Sequence, residues 1–194
     1  MSKLSKILAL TAVVIAATTA IAVAATINGT AGPDNLIGTS SGDSISGLGG
    51  NDWMIGQGSG DNMNGGDNDD KMYGDGKCPP GSGGPSVCDT RDGGMDAGDN
   101  MDGGNGNDYV NGNGGGDNVS GSAGNDTVIG GAGGDNISGG DGSDKIYAQD
   151  GAKDNIDCGA GADTAYVDKS KDSWKNCETV VYTTTAVPSA VKAK

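Results

Sequence analysis

Large aliphatic or methionine residues return along this chain at nine-residue steps. Leu36, Ile45, Met54, Met63 and Met72 form one series, and Met101, Val110, Val119, Val128, Ile137 and Ile146 form a second. Neither a lone helix nor an ordinary strand has that period. Each apolar residue stands at the centre of a short extended stretch, where alternation turns the middle side chain to one face and its neighbours to the other. The pattern predicts many short parallel strands, stacked so that the central side chains form a thin apolar spine, with glycine-rich turns between them.

Two residues before each spine residue stands an aspartate: Asp34, Asp43, Asp52, Asp61 and Asp70, then Asp99, Asp108, Asp117, Asp126, Asp135 and Asp144, with looser units around Asp154 and Asp163. The residue before the aspartate alternates. Gly42, Gly60, Gly98, Gly116 and Gly134 make one set; Asn51, Asn107 and Asn125, with Pro33, Asp69 and Ser143, make the other. The operative repeat is therefore 18 residues, as expected of a two-sheet roll in which only every second unit stacks directly. Glycine supplies positive φ and lets backbone carbonyls approach a ligand, and aspartate supplies charge. Together they suit calcium, which takes six to eight oxygens in flexible geometry. The competing reading is that the aspartates only make solvated Asx-turns. Ser41, Ser59, Asn68 and Ala97 stand where a glycine is expected, and the turns holding them are expected to bind more weakly or with altered carbonyl geometry.

Written out, the units run from GTAGPDNLI at Gly29 to GGDNDDKMY at Tyr73, and from GMDAGDNMD at Gly94 to GGDGSDKIY at Tyr147. They resemble the G-G-x-G-x-D-x-U-x repeat of the RTX, or hemolysin-type, calcium-binding family over roughly residues 29–168. The resemblance implies an all-β, right-handed parallel β-roll solenoid of two sheets with calcium-binding turns. Aspartates 18 residues apart are then partners across one ion: 34 with 52, 43 with 61, 52 with 70, 99 with 117, 108 with 126, 117 with 135, and 126 with 144. Seven ions or more are expected, with Asp154 and Asp163 extending the series.

Composition supports a cation rather than a thick core as the stabiliser. The 194 residues include 39 glycines and no phenylalanine, with 4% aromatics and a formal charge of −14. So acidic a chain disfavours nucleic acid as a partner and would repel itself if compacted without cations. Disorder is the bland alternative, but disordered tracts do not hold phase over many units. Lys3 and Lys6 followed by an apolar run from Ile7 to Ala25 read as a secretory signal over residues 1–25, with an uncleaved membrane anchor as the alternative. Removal of the signal and its two lysines takes the charge to −16, close to what seven divalent ions neutralise. The expected location is outside the cell, where calcium is abundant and modules of modest affinity suffice.

Four cysteines in an exported chain favour two disulfides, and proximity favours Cys78 with Cys88 and Cys158 with Cys177. A zinc site is the rival, without histidine or a C-x-x-C pair to support it. Residues 29–73 and 94–168 are thus the two blocks of roll, and 74–93 a Cys- and Pro-rich insert that either replaces a coil or bulges from the roll. Residues 169–194 are a disulfide-closed cap and tail protecting the solenoid end.

The outward positions predict two unlike faces. Ser44, Ser46, Asn62, Asn64, Asn100, Asp102, Asn118, Ser120, Asn136 and Ser138 form a polar ladder. Ile37, Trp53, Ile55, Tyr73, Tyr109, Ile129 and Tyr147, with Lys71 and Lys145, form an apolar outer face suited to self-association into an oligomer or filament, or to a cell-surface or matrix ligand. β-propensity alone also explains that composition. With no histidine and no G-x-S-x-G motif, an enzyme is not expected. The functional expectation is a secreted calcium-binding structural or adhesive protein that folds on binding calcium. The alternatives are a module binding glycan or ice through the Asn/Ser ladder and, further off, an accessory part of a hydrolase.

Overall fold

The computed structural model describes residues 23–76 and 97–182, together with the backbone of Val13–Ile15. Within them the chain winds as a parallel two-sheet β-solenoid of about eight turns, without a helix. Odd-numbered strands build one sheet: β1 (Val13–Ile15), β3 (Asn35–Ile37), β5 (Trp53–Gln57), β7 (Lys71–Asp75), β9 (Tyr109–Asn111), β11 (Thr127–Ile129), β13 (Lys145–Ala148), β15 (Thr164–Val167) and β17 (Thr179–Tyr182). Even-numbered strands build the other: β2 (Thr26–Asn28), β4 (Ser44–Gly49), β6 (Asn62–Asp67), β8 (Asn100–Asn105), β10 (Asn118–Ala123), β12 (Asn136–Gly142), β14 (Asn155–Gly161) and β16 (Ser173–Lys175). Successive nonapeptides thus fall on opposite sheets, and every pairing is parallel. Ile45 lies beside Met63 and Val128 beside Ile146, one 18-residue step apart.

Every spine residue predicted from the period is at most 3% exposed, and the spine continues through Ile27, Ile156, Ala165 and Val167. A core one side chain thick explains why nine residues suffice per unit. Each short strand has a single inward position, and the sheets meet across it.

The roll passes residues 77–96 without losing register. Asn62 pairs with Asn100 and Lys71 with Tyr109, 38 residues apart instead of 18. Twenty residues are therefore spliced into one turn and no coil is replaced, which decides between the two readings of the insert. Cys78 and Cys88 lie outside the described residues. Cys158 and Cys177 form the expected disulfide. Of the predicted cap and tail, residues 183–194 lie outside the described residues, and those up to Tyr182 form one further coil: Trp174 takes the spine position beside Ile156, and its ring meets Tyr182 at 5.7 Å.

The apolar outer face needs correction. Ile37, Trp53, Ile55 and Tyr73 are buried, with Ile55 wholly so, and form a second apolar cluster against which Tyr109 packs. The rings of Trp53 and Tyr73 lie 6.3 Å apart and those of Tyr73 and Tyr109 5.5 Å, so neighbouring coils interlock there instead of offering a free surface. Ile129 and Tyr147, farther along the same sheet, remain half-exposed.

Candidate metal centre

Each repeat aspartate sits where a turn enters a strand, and the strands place these aspartates in two columns, one for each sheet. Its backbone and side chain link three coils. Asp52 shows the pattern: its Oδ1 accepts the Asp34 N–H at 2.8 Å, its own N–H donates to Asp70 Oδ1 at 2.8 Å, and its carbonyl accepts the Lys71 N–H at 2.9 Å. The columns run through the spliced turn, where Asp61 N–H donates to Asp99 Oδ1 and Asp70 N–H to Asp108 Oδ1. At the far end a single extra residue is absorbed, Asp135 reaching Asp154 and Asp144 reaching Asp163. All thirteen predicted aspartates are thus brought into the columns, buried at 3% exposure or less.

The second carboxylate oxygen is the informative atom. From Asp52 to Asp163, Oδ2 of every repeat aspartate is buried and has no hydrogen-bond partner. Native interiors hold only a few such orphans per hundred residues, and here the orphan recurs at every rung from Asp52 to Asp163. Asp34 and Asp43 differ: Thr30 and Thr39, four residues earlier, donate their backbone N–H groups to Oδ2, so at these first two positions Oδ2 already has a partner. From Asp52 to Asp144, the opening glycine of the unit lies beside the orphan. A Cβ on Gly103 would fall 2.5 Å from Asp108 Oδ2 and 2.7 Å from the Gly121 carbonyl oxygen; on Gly121 it would come 2.6 Å from the Gly139 carbonyl oxygen. Glycine is required because a carboxylate oxygen and a carbonyl oxygen of the next coil close on the same spot.

Burial drives these acids away from their ordinary range. It pushes Asp61 up to about 8 and Asp70, Asp117, Asp126 and Asp154 up to about 7, with neighbouring column aspartates adding repulsion and the backbone N–H on Oδ1 offsetting part of the rise. Paired carboxylates held in a dry column need a proton or a cation. The donors are hard oxygens, carboxylate and carbonyl, and flexible in number, which fits calcium. Among the described residues no three acidic or cysteine side chains converge as an all-side-chain metal cage, so each ion depends on carboxylates of stacked turns together with glycine carbonyls. This also leaves the zinc reading without support from Cys158 and Cys177, which are bonded to each other.

Two of the substituted turns keep the repeat's shape: Ser59 (φ 68°) and Asn68 (φ 79°) adopt the left-handed conformation that glycine would, whereas Ser41 and Ala97 do not. Three acids absent from the sequence prediction join the turns. Asp172 Oδ1 accepts the Asp154 N–H and Glu178 Oε2 the Asp163 N–H, so each column gains a last rung. The 18-residue step from Asp154 already pointed to Asp172; the shorter step to Glu178 gave no such signal. The third, Asp75, is buried with both carboxylate oxygens unpartnered, and burial followed by the charge of Asp99 pushes it up to about 8.

The last rung before the disulfide is built differently. Cys158 stands five residues before Asp163, where the units from Asp34 to Asp144 have their opening glycine, and it is wholly buried. The Cys158–Cys177 bond therefore joins coils covalently where the glycine cradle is lost.

Comparison with known proteins agrees with this geometry. The model of the RTX calcium-binding nonapeptide repeat matches four times, over residues 28–63, 49–76, 93–128 and 129–165. No curated protein and no solved structure matches the chain. With matched segments that cover more than half its length and aspartate columns that supply the expected donors, the chain belongs to the RTX calcium-binding nonapeptide repeat family.

Proposed function

We propose that this calcium-binding repeat protein is a secreted, non-catalytic structural or adhesive element whose roll forms when calcium binds. The observation that carries the reading is the unbroken series of orphaned Oδ2 atoms. Without a cation each would have to be neutralised by a proton or left as an unpaired buried charge, and either state weakens the fold near neutral pH. With calcium, the same oxygens crosslink neighbouring coils, and binding energy becomes folding energy. The apolar leader at residues 7–25, the disulfide and the acidic surface support an extracellular setting, where calcium is plentiful.

Circular dichroism of the purified mature protein, first with calcium and then with a chelator, tests the coupling. Loss of the β spectrum in chelator and its return with calcium is the expected result; a fully folded spectrum throughout would sink the reading. Electron microscopy in calcium separates filaments or sheets from monodisperse particles, and so separates self-assembly from a soluble role. With Ile37, Trp53, Ile55 and Tyr73 buried, assembly through that sheet is left to its later coils, around Ile129 and Tyr147.

A second reading rests on the other sheet. Its outer surface is a shallow groove lined by the predicted polar ladder. Asn118 Nδ2 donates to Asn100 Oδ1 at 2.9 Å and Asn136 Nδ2 to Asn118 Oδ1 at 3.0 Å, leaving one amide hydrogen per rung for a repeating hydroxylated ligand such as a glycan. Glycan-array binding that Asn118→Ala abolishes, with the calcium response intact, would favour this role over a purely structural one.

A further inference from the structure

Asp75 is the one buried aspartate of the described residues that stands outside both columns. It occupies the second place of the turn into which residues 77–96 are spliced. Gly74 has the opening place, since a Cβ there would run into Asp99 Oδ2 and the Gly112 carbonyl, and Gly76, Ala97 and Gly98 complete the six places that end at Asp99.

The same place in the flanking coils shows what a purely structural residue does there. Gln57, paired with Asp75 in register, donates its Nε2 to the Gly38 carbonyl at 2.5 Å. Asn113, one coil on, donates its Nδ2 to the Asp75 carbonyl at 2.7 Å. Both are neutral amides that tie one coil to the one before. An ionised aspartate has no hydrogen to give and cannot do that work. Asp75 nevertheless stands between them, wholly buried, with neither oxygen partnered and with Asp99 as its leading charged neighbour. The Gly114 amide approaches it without reaching hydrogen-bond geometry. Asp99 Oδ2, lying against Gly74, is itself an orphan.

We propose that Asp75 and Asp99, with the Gly112 carbonyl, hold a divalent cation at the spliced turn, in a site that uses a carboxylate the nonapeptide repeat does not supply. Extra ligand charge raises calcium affinity, so this ion is the tightest bound in the roll. It clamps the two ends of the 20-residue excursion together and keeps the coils on either side in register. The inference rests on the calcium reading of the columns.

Calcium uptake by the full chain, measured by equilibrium dialysis and isothermal titration, compares the native protein with Asp75→Asn and Asp75→Glu. Asp75→Asn is expected to bind one ion fewer or to weaken the tightest phase at least tenfold, while Asp75→Glu keeps the native stoichiometry. Equal number and affinity in native protein and Asp75→Asn would overturn the inference and leave the columns untouched; no calcium uptake by the native protein would overturn both. Should Asp75→Asn fail to fold in saturating calcium, folding of Asp75→Glu under the same conditions supports a need for charge, and failure of both assigns Asp75 to packing and overturns the site.

Discussion

A buried aspartate whose one oxygen accepts a backbone N–H and whose other oxygen accepts nothing responds oppositely to pH with and without calcium. In the calcium-free fold Asp61 is pushed up to about 8 and Asp117 to about 7 from an ordinary 3.8, by burial first. The folded chain then holds protons that the unfolded chain has released, so stability falls as pH rises between roughly 4 and 8. In calcium the proton competes with the ion, and stability falls as pH drops instead. In chelator, where the roll is lost at neutral pH, far-UV dichroism should show β structure returning as pH falls from 8 to 5, whereas urea denaturation in calcium should show lower stability at pH 5 than at pH 8; the same pH dependence in both would mean that the column aspartates are not the ligands. Glycine at the unit's opening place makes a second residue-level test. Gly103→Ala drives a Cβ into Asp108 Oδ2 and the Gly121 carbonyl and should cost about 1–3 kcal/mol. Gly32→Ala has open space around it and should stay within about 0.5 kcal/mol. Thermal melts in calcium separate the two. The aspartates and glycines were legible because the repeat prints them at fixed spacing. Asp75 was not, because a single off-repeat acid at the edge of an insert reads as solvated loop until its burial is seen.

At the scale of the strand and turn, the 9- and 18-residue periods foretold the spine, the two sheets and the pairing register, since a strand with one inward residue leaves no freedom in what it buries. What the pattern could not foretell was cover. Trp53, Ile55 and Tyr73 occupy outward positions by alternation and are nonetheless buried with Ile37. Alternation fixes which face a side chain leaves by, not what packs over that face. Phase counting left the insert undecided for a related reason: a replaced coil and a bulge can preserve the same alternation, and only the pairing of Lys71 with Tyr109 separates them. The C-terminal coil carries its own prediction. Cys158 and Cys177 close a loop of 19 residues that ties the last coil, whose strands β16 and β17 end the two sheets, to the coil before it. A loop of that length is worth about 3 kcal/mol. Reduction, or the double substitution Cys158→Ala and Cys177→Ala, should fray this coil before the rest. Faster hydrogen exchange confined to Ser173–Lys175 and Thr179–Tyr182 in calcium would show it, and uniform loss of protection along the roll would count against a local staple.

For the molecule as a whole, the thin spine and the charge set the problem together. A core one side chain deep contributes little apolar burial per residue, the 39 glycines lose much backbone entropy on ordering, and the formal charge of −14 opposes compaction. Ions that only screened that charge would act through ionic strength, and any salt would serve. Ions held in the turns act through coordination, and there the identity of the cation matters. The donors are orphaned Oδ2 atoms and glycine carbonyls in a column closed to solvent. Calcium accepts six to eight such oxygens at flexible geometry, whereas magnesium demands near-octahedral order and gives up its water reluctantly. The roll should therefore fold with millimolar calcium but not with tenfold more magnesium, and high sodium chloride in chelator should not restore the β spectrum. Because each coil touches only its neighbours, ions bound along two continuous columns couple successive coils, and the calcium transition should be steeper than single-site binding. A far-UV titration with each salt measures both properties. Equal rescue by magnesium or sodium chloride would reduce calcium to a counterion, whereas a steep, calcium-selective transition ties folding to the aspartate columns.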